Sequence, residues 1–67
     1  MSSQFATNLK NLRAEQQISQ LKLAEALNTS IKTISHWETG YSEPSIAQIL
    51  QIADFFEIST DELLKKQ

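Results

Sequence analysis

The sequence contains no cysteine and only one residue each of glycine, proline, tryptophan, tyrosine and histidine. The absence of cysteine excludes disulfide bonds and thiolate metal sites, and with His36 as the one histidine we expect no metal site at all. Because glycine and proline are rare while leucine, isoleucine, alanine and glutamine are frequent, the composition favours an all-helical domain. We expect a single domain over residues 1–67, with a small core, because so short a chain buries only about 60% of its unfolded surface.

Long apolar runs are also missing, since no stretch approaches the roughly 18 residues that a membrane-spanning helix needs. Residues 1–4 show no charged segment followed by an apolar one, so we expect no secretion signal and a cytoplasmic protein. The sequence has no glycine-rich phosphate loop and no nucleophile paired with His36. It therefore predicts no enzyme, no cofactor and no small-molecule substrate.

The acidic and basic residues are unevenly distributed, with an overall net charge of −2. Residues 1–40 carry four basic and three acidic side chains, a net of +1, whereas residues 41–67 carry two basic and five acidic ones, a net of −3. A polarised molecule can still present a neutral or basic face to a polyanion. The low total indicates that non-specific affinity for nucleic acid is modest.

Helix-start and helix-stop signals recur at short intervals along the chain. The candidate N-caps, each able to accept a hydrogen bond from the first helical turn, are Ser19, Ser30, Ser45 and Ser59. Gln48 and Glu62, three residues after the last two of these, complete the pattern of a capping box. Gly40 is expected to end a helix in a left-handed conformation.

Apolar residues recur at helical spacing between these signals and predict five helices. The expected bounds are residues 4–16, 20–27, 31–39, 46–56 and 60–66. The residues expected to face the core are Phe5, Leu9, Leu12, Leu23, Ala24, Leu27, Ile34, Trp37, Ile46, Ile49, Leu50, Ala53, Phe56, Leu63 and Leu64. Phe55 falls outside the stripe on the fourth helix.

The most informative segment spans residues 20–39, where two short helices are joined by only three residues. Asn28 suits the end of the first helix because it tolerates a positive φ angle. On the second helix, Ile34 and Trp37 define the buried side. Opposite them lie Lys32, Ser35, His36 and Thr39, with Ile31 and Thr33 at the flanks. A short-chained polar face of this kind can enter the major groove of DNA, but any amphipathic helix has a polar outer face, so the pattern by itself leaves two interpretations open.

A larger set of residues resembles one family at matching spacing over nearly the whole chain. The matching residues are Ile18, Ser19, Gln20, Leu23, Ala24, Glu25, Leu27, Asn28, Ser30, Thr33, Ile34, Ser35, Trp37, Glu38, Gly40, Pro44, Ser45, Leu50, Ile52, Ala53, Phe56, Ile58, Ser59, Asp61, Glu62, Leu63 and Leu64. With them the sequence resembles the Cro/C1-type (XRE) helix-turn-helix regulators. The resemblance implies a compact, lambda-repressor-like five-helix bundle whose helix-turn-helix is formed by helices 2 and 3.

The resemblance also implies roles for individual residues. Those expected to contact double-stranded DNA are Gln20, Ser30, Ile31, Lys32, Thr33, His36, Thr39 and Tyr41. Gln20 is expected to contact phosphate and to brace the base-contacting residues, while Lys32 can donate to guanine and Ile31 can pack on a thymine methyl group. Arg13 and Glu38 occupy positions that form a structural ion pair in relatives. Leu21 stands at a position that is usually polar in the family, so the resemblance implies that it is exposed. Glu57 stands where glycine is common after helix 4, which implies mild strain.

Relatives commonly dimerise through the later helices, which implies a homodimer. The candidate surface is formed by Phe55, Ile58 and Leu64. We therefore expect a transcriptional regulator, a repressor that binds a palindromic or near-palindromic operator as a homodimer. Two alternatives are an antitoxin that also neutralises a partner protein, and a protein-interaction module that has lost DNA binding.

Overall fold

The computed structural model describes residues 4–66 and contains five α-helices and no strand within them. The helices are α1 (Gln4–Gln16), α2 (Gln20–Ala26), α3 (Ile31–Thr39), α4 (Ile46–Phe56) and α5 (Thr60–Leu64). The predicted all-α, five-helix architecture is confirmed, and every helix begins at the predicted residue. Residues 1–3 and 67, which the expected domain includes, lie outside the described residues.

Serine side chains start the last four helices, as the sequence predicts. Each serine hydroxyl accepts a hydrogen bond from the backbone N–H three residues later. Ser45 forms a complete capping box, because the Gln48 side chain accepts in return from the Ser45 N–H at 2.7 Å. The box predicted at Ser59 is only half formed, since the Glu62 carboxylate instead accepts from Lys65 Nζ at 3.1 Å.

The first four helices all end in the same backbone arrangement, a Schellman motif with one left-handed residue. The left-handed residues are Gln17 (φ 56°), Asn28 (φ 57°), Gly40 (φ 80°) and Glu57 (φ 59°). In each motif the next residue donates its N–H to a carbonyl five residues back, as Ile58 does to Ala53 at 3.0 Å. Gly40 adopts this conformation freely and Asn28 tolerates it, whereas for Gln17 and Glu57 it costs about 1–2 kcal/mol.

The core draws side chains from all five helices. Its buried members are Phe5, Leu9, Leu23, Ala24, Ile34, Trp37, Ile52, Ala53, Phe56 and Leu63. Phe5 and Trp37 meet edge-to-face, with ring centroids 6.4 Å apart, and this contact joins α1 to α3. The expected core residues Leu12, Leu27 and Ile49 are partly buried against the same cluster.

The face that α4 buries is only partly the predicted one, since Ala53 and Phe56 are buried as expected. Ile46 and Leu50, expected in the core, are 79% and 56% exposed, whereas Ile52 is completely buried. Apolar residues surround most of this helix, so helical periodicity is compatible with more than one buried side. Packing against the rest of the core selects the side that carries Ile52, Ala53 and Phe56. Leu64 on α5, which fits the apolar spacing and is also expected on the dimer surface, is 44% exposed.

The end of α5 depends on a buried side chain of α1. Asn8 is 2% exposed, and its Nδ2 donates to the carbonyl of Leu63 at 2.8 Å and to that of Lys65 at 2.9 Å. Lys65 is extended (ψ 152°), so α5 stops at Leu64 rather than at residue 66 as predicted. Asn8 lies on the same helical face as Phe5 and Leu9, and this polar interruption of an apolar stripe was the available sequence signal.

The predicted end of α2 at residue 27 is also one residue too late. Leu27 has φ −95° and ψ 1°, and Asn28 follows in the left-handed conformation. Among residues 4–66 no helix combines the length and the hydrophobicity needed to cross a membrane.

Candidate nucleic-acid interface

The segment from α2 to α3 forms a compact helix-turn-helix. Asn28 turns the chain after α2, and the N–H of Thr29 returns to the carbonyl of Ala24 at 2.9 Å. Ser30 then caps α3 from an extended conformation. Leu23 and Ala24 of α2 and Ile34 of α3 are buried in the common core, so packing on the inner side fixes the two helices relative to each other.

The inner side of α3 is occupied by the buried residues Ile34, Trp37 and Glu38. The residues expected to contact DNA lie on its other sides and at its two ends. Ser30, Ile31, Lys32, Thr39 and Tyr41 are exposed, while Thr33 and His36 are half-buried. Ser35, which the sequence places among the outward residues, is half-buried as well.

Three hydroxyl groups of this face already have protein partners. Ser30 Oγ accepts the Thr33 N–H at 3.1 Å and lies 2.9 Å from Thr33 Oγ1. Thr39 Oγ1 donates to the carbonyl of His36 at 3.3 Å. The side chains of Lys32 and His36 form no hydrogen bond or ion pair within the described part of the chain. These two side chains therefore keep their hydrogen-bonding groups available to a ligand, as does the hydroxyl of the exposed Tyr41.

A charged network lies behind this face and connects α1, α2 and α3. Arg13 pairs with Glu38 through two hydrogen bonds, from Nε to Oε2 and from Nη2 to Oε1, the latter at 2.8 Å. A third nitrogen of Arg13, Nη1, donates to the carbonyl of Ile18 at 2.8 Å. The hydrogen bond to Glu38 raises the pKa of Arg13 above its usual value, burial opposes the shift, and the Glu38 charge adds to it.

Gln20 also belongs to this network. Its Nε2 donates to Glu38 Oε1 at 3.1 Å, which ties the first residue of α2 to the last turn of α3. The Glu38 side chain is 5% exposed, so its charge is satisfied almost entirely by Arg13 and Gln20. The sequence placed Gln20 beside the base-contacting residues but carried no signal that its amide bonds to Glu38.

The loop after α3 brings an aromatic ring onto the same surface. Tyr41 is 79% exposed, and its ring centroid lies 4.5 Å from that of His36 at an interplanar angle of 47°. Nothing in helical periodicity relates these two residues, because Tyr41 lies beyond the end of α3.

The three residues expected to form a dimer surface differ in exposure. Phe55 is half-buried and packs edge-to-face against Phe56 with centroids 5.0 Å apart. Ile58 is half-buried against the core, and Leu64 is 44% exposed. Leu21 on α2 is 52% exposed, as predicted.

Residues 4–66 contain no cluster of three or more histidine, aspartate or glutamate side chains that is able to hold a metal ion.

Known proteins share both the sequence pattern and the fold. A family model described as helix-turn-helix matches residues 9–63. The chain is 38% identical over 61 residues to the HTH-type transcriptional activator BcrR of Enterococcus faecalis. The matched region covers 91% of this chain and 30% of BcrR. Across three curated relatives, all named as transcriptional regulators, the chain spans 30% to 53% of their length.

Two solved structures illustrate where this fold occurs. The SOS-response transcriptional repressor LexA from Eubacterium rectale superimposes with a TM-score of 0.90 at 26% identity, covering 96% of this chain and 68% of that one. Hydroxypropylphosphonic acid epoxidase from S. wedmorenis superimposes with a TM-score of 0.86 at 29% identity, covering 96% of this chain but only 34% of the epoxidase. Because the family model matches residues 9–63 and the fold is shared, the chain belongs to the Cro/C1-type (XRE) helix-turn-helix family.

Proposed function

We propose that this chain is the sequence-specific DNA-binding domain of a transcriptional regulator and that α3 enters the major groove. The observation that carries the proposal is the division of α3 into two sides. Its inner side is immobilised by the core and by the network of Arg13, Gln20 and Glu38. Its outer side presents Lys32 and His36, whose side chains form no hydrogen bond or ion pair within residues 4–66.

The chemistry of the outer side suits base edges. The Lys32 ammonium group can donate to the O6 and N7 acceptors of guanine, and Ile31, 44% exposed, can contact the methyl group of thymine. We assign the remaining contacts, to bases or nearby phosphates, to Gln20, Ser30, Thr33, His36 and Thr39, with the exposed Tyr41 beside His36 at this surface. Each well-placed pair of hydrogen bonds to a base discriminates by about 1–3 kcal/mol.

Bulk charge contributes little to this proposed binding. The exposed charges of α2 and α3 are Lys22, Glu25 and Lys32, and the chain as a whole is acidic. Counterion release scales with the number of phosphates that the protein neutralises. We therefore expect the logarithm of the binding constant to fall with the logarithm of the salt concentration with a slope of only a few units. Recognition on this proposal rests on a few specific contacts and on their duplication in a dimer.

We further propose that the protein acts as a homodimer on a palindromic or near-palindromic operator. The Cα atoms extend over 26 × 26 × 23 Å, whereas half-sites one helical turn apart are separated by about 34 Å. One copy is therefore too small to occupy both half-sites, which favours binding by two copies. We assign the contact between them to the surface of Phe55, Ile58 and Leu64.

Sedimentation equilibrium tests this dimer. Leu64→Asp is expected to shift the protein to monomer and to abolish cooperative binding to a two-half-site operator. Leu50→Asp is the matched control, since Leu50 is a similarly exposed leucine on α4. If Leu50→Asp dissociates the dimer and Leu64→Asp does not, the interface lies on the outer face of α4 instead.

We propose repression as the direction of regulation, exerted in the cytoplasm by a dimer that occupies promoter DNA and excludes the polymerase. LexA, named as a repressor, and BcrR, named as an activator, both contain a domain of this kind. The position of the operator relative to the promoter decides between the two directions. A reporter gene whose expression rises when the protein is removed supports repression, and one whose expression falls contradicts it.

Selection of bound fragments from random DNA tests the proposed function most directly. We expect an enriched motif, made of two half-sites about one helical turn apart if the dimer proposal holds. The double variant Lys32→Ala/His36→Ala is expected to lose the base preference. Lys66→Ala removes the same positive charge outside α2 and α3 and is expected to keep it. No enrichment by the wild-type protein, or selectivity that survives the double variant, contradicts the assignment.

A further inference from the structure

The backbone after α3 turns back onto the end of the helix. Gly40 adopts the left-handed conformation, and the carbonyl of His36 then accepts from the N–H of Tyr41 at 2.9 Å and from that of Ser42 at 3.3 Å. This Schellman geometry brings the side chain at position 41 next to the side chain at position 36. In this chain both positions carry rings, whose centroids are 4.5 Å apart.

The contact between these rings does not belong to the core. Tyr41 is 79% exposed and His36 is half-buried, so burial of Tyr41 does not account for its position. The other polar residues at the start of α3, Ser30 and Thr33, are oriented by their own hydrogen bonds. The His36 imidazole has no such bond within residues 4–66, and the Tyr41 ring lies against it.

We propose that Tyr41 is a positioning residue that holds the His36 imidazole in one orientation and so determines the base preferred opposite His36. The proposal rests on the proposed DNA-binding function. An imidazole offers a base edge two different nitrogens, and which of them points outward depends on the rotation of the ring. A side chain that is already ordered before binding loses less conformational entropy in the complex, and it rejects bases that require another orientation.

The main alternative gives Tyr41 a role independent of His36, with its hydroxyl group bonding to a DNA phosphate. The two roles use different parts of the side chain. Tyr41→Phe keeps the ring and removes the hydroxyl, whereas Tyr41→Leu removes the ring. Because Tyr41 is exposed, neither substitution disturbs the core, and thermal unfolding checks that each variant is folded.

The test measures dissociation constants by fluorescence anisotropy on the DNA site selected by the wild-type protein and on all single base-pair variants of one half-site. Tyr41→Leu is expected to weaken binding to the selected site by roughly 3- to 10-fold, the factor that corresponds to loss of one ring contact. It is also expected to relax the preference at the base pair opposite His36 and at no other. Tyr41→Phe is expected to keep both affinity and preference.

The second part of the test repeats the Tyr41→Leu measurement in a protein that carries His36→Ala. If Tyr41 acts through His36, Tyr41→Leu has no further effect in the His36→Ala background. A loss that persists in that background, or a loss reproduced by Tyr41→Phe, overturns the proposal and assigns Tyr41 to phosphate. An unchanged profile for Tyr41→Leu overturns it as well.

Failure of the proposed function has a different signature. In that case the wild-type protein itself selects no DNA sequence, and the proposed role of Tyr41 in base preference is refuted as well. The ring contact is checked in the free protein by NMR, where Tyr41→Leu is expected to remove a ring-current shift from the His36 imidazole protons. Absence of that shift in the wild-type protein overturns the positioning role whether or not the protein binds DNA.

Discussion

Replacing Glu57 by glycine is expected to stabilise the protein. Glu57 follows α4 in the left-handed region (φ 59°, ψ 42°), is exposed, and forms no side-chain hydrogen bond or ion pair within residues 4–66. This conformation costs an L-residue about 1–2 kcal/mol and costs glycine almost nothing. Glycine also lowers the free energy of unfolding by roughly 0.5–1 kcal/mol, because it increases the conformational entropy of the unfolded chain. The backbone contribution to the free energy of unfolding is thus a gain of about 1 kcal/mol.

A second contribution comes from the charge of Glu57. A carboxylate at the C-terminus of a helix is unfavourable by about 0.3–1 kcal/mol, because it lies at the negative end of the helix dipole. Glu57→Gly removes this penalty together with the backbone cost. Glu57→Gln removes the charge and keeps the backbone cost, so the difference between the two variants isolates the left-handed conformation.

Urea and thermal unfolding followed by circular dichroism measure both contributions. For a domain of this size, about 1 kcal/mol corresponds to a shift in Tm of roughly 4–8 °C. Gln51→Gly, in the middle of the exposed face of α4, is the matched control and is expected to destabilise by about 0.5–1 kcal/mol. If Glu57→Gly is no more stable than Glu57→Gln at an unchanged m-value, the argument from backbone strain is wrong.

Three further substitutions test other parts of the structure. Gln17→Gly, at the left-handed end of α1, is expected to raise the free energy of unfolding by about 1 kcal/mol. Because Gln17 and Glu57 end different helices, the gains of Gln17→Gly and Glu57→Gly are expected to add in urea unfolding. Arg13→Ala is expected to lower the free energy of unfolding by about 3 kcal/mol, because the buried Glu38 carboxylate then keeps only Gln20 as a partner among residues 4–66; a loss below about 1 kcal/mol contradicts this. Asn8→Ala is expected to lower the free energy of unfolding by about 1–3 kcal/mol and to speed amide hydrogen exchange in α5. Asn11→Ala, at an exposed position of the same helix, is expected to change neither quantity.

The start of each helix could be predicted because the interactions that start a helix are local. A serine hydroxyl that accepts from an N–H three residues later needs no other part of the chain, and all four predicted serine caps form. The same holds for Gly40 and Asn28, whose left-handed conformations follow from residue type and position. The outward side of α3 could be predicted in the same way, because Ile34 and Trp37 define its inner side.

The left-handed conformation of Gln17 was not predicted, because neither glycine nor asparagine marks that position. The hydrogen bond from Gln20 to Glu38 and the contact between the Tyr41 and His36 rings were also missed. The first joins residues 18 positions apart in the chain, whereas the second accompanies the Schellman motif at Gly40, which is a local signal that the sequence does carry.

The sequence alone determined the number of helices, their first residues and the helix-turn-helix, because capping and apolar spacing act over a few neighbouring residues. The tertiary structure decided how α4 is rotated, since apolar residues surround most of that helix and only packing selects Ile52 over Ile46 and Leu50. It also decided where α5 ends, because the carbonyls of its last turn are bound by Asn8, 55 residues before Leu63 in the chain. Contacts at such separation leave no periodic signal in the sequence, and they form only when the helices pack together.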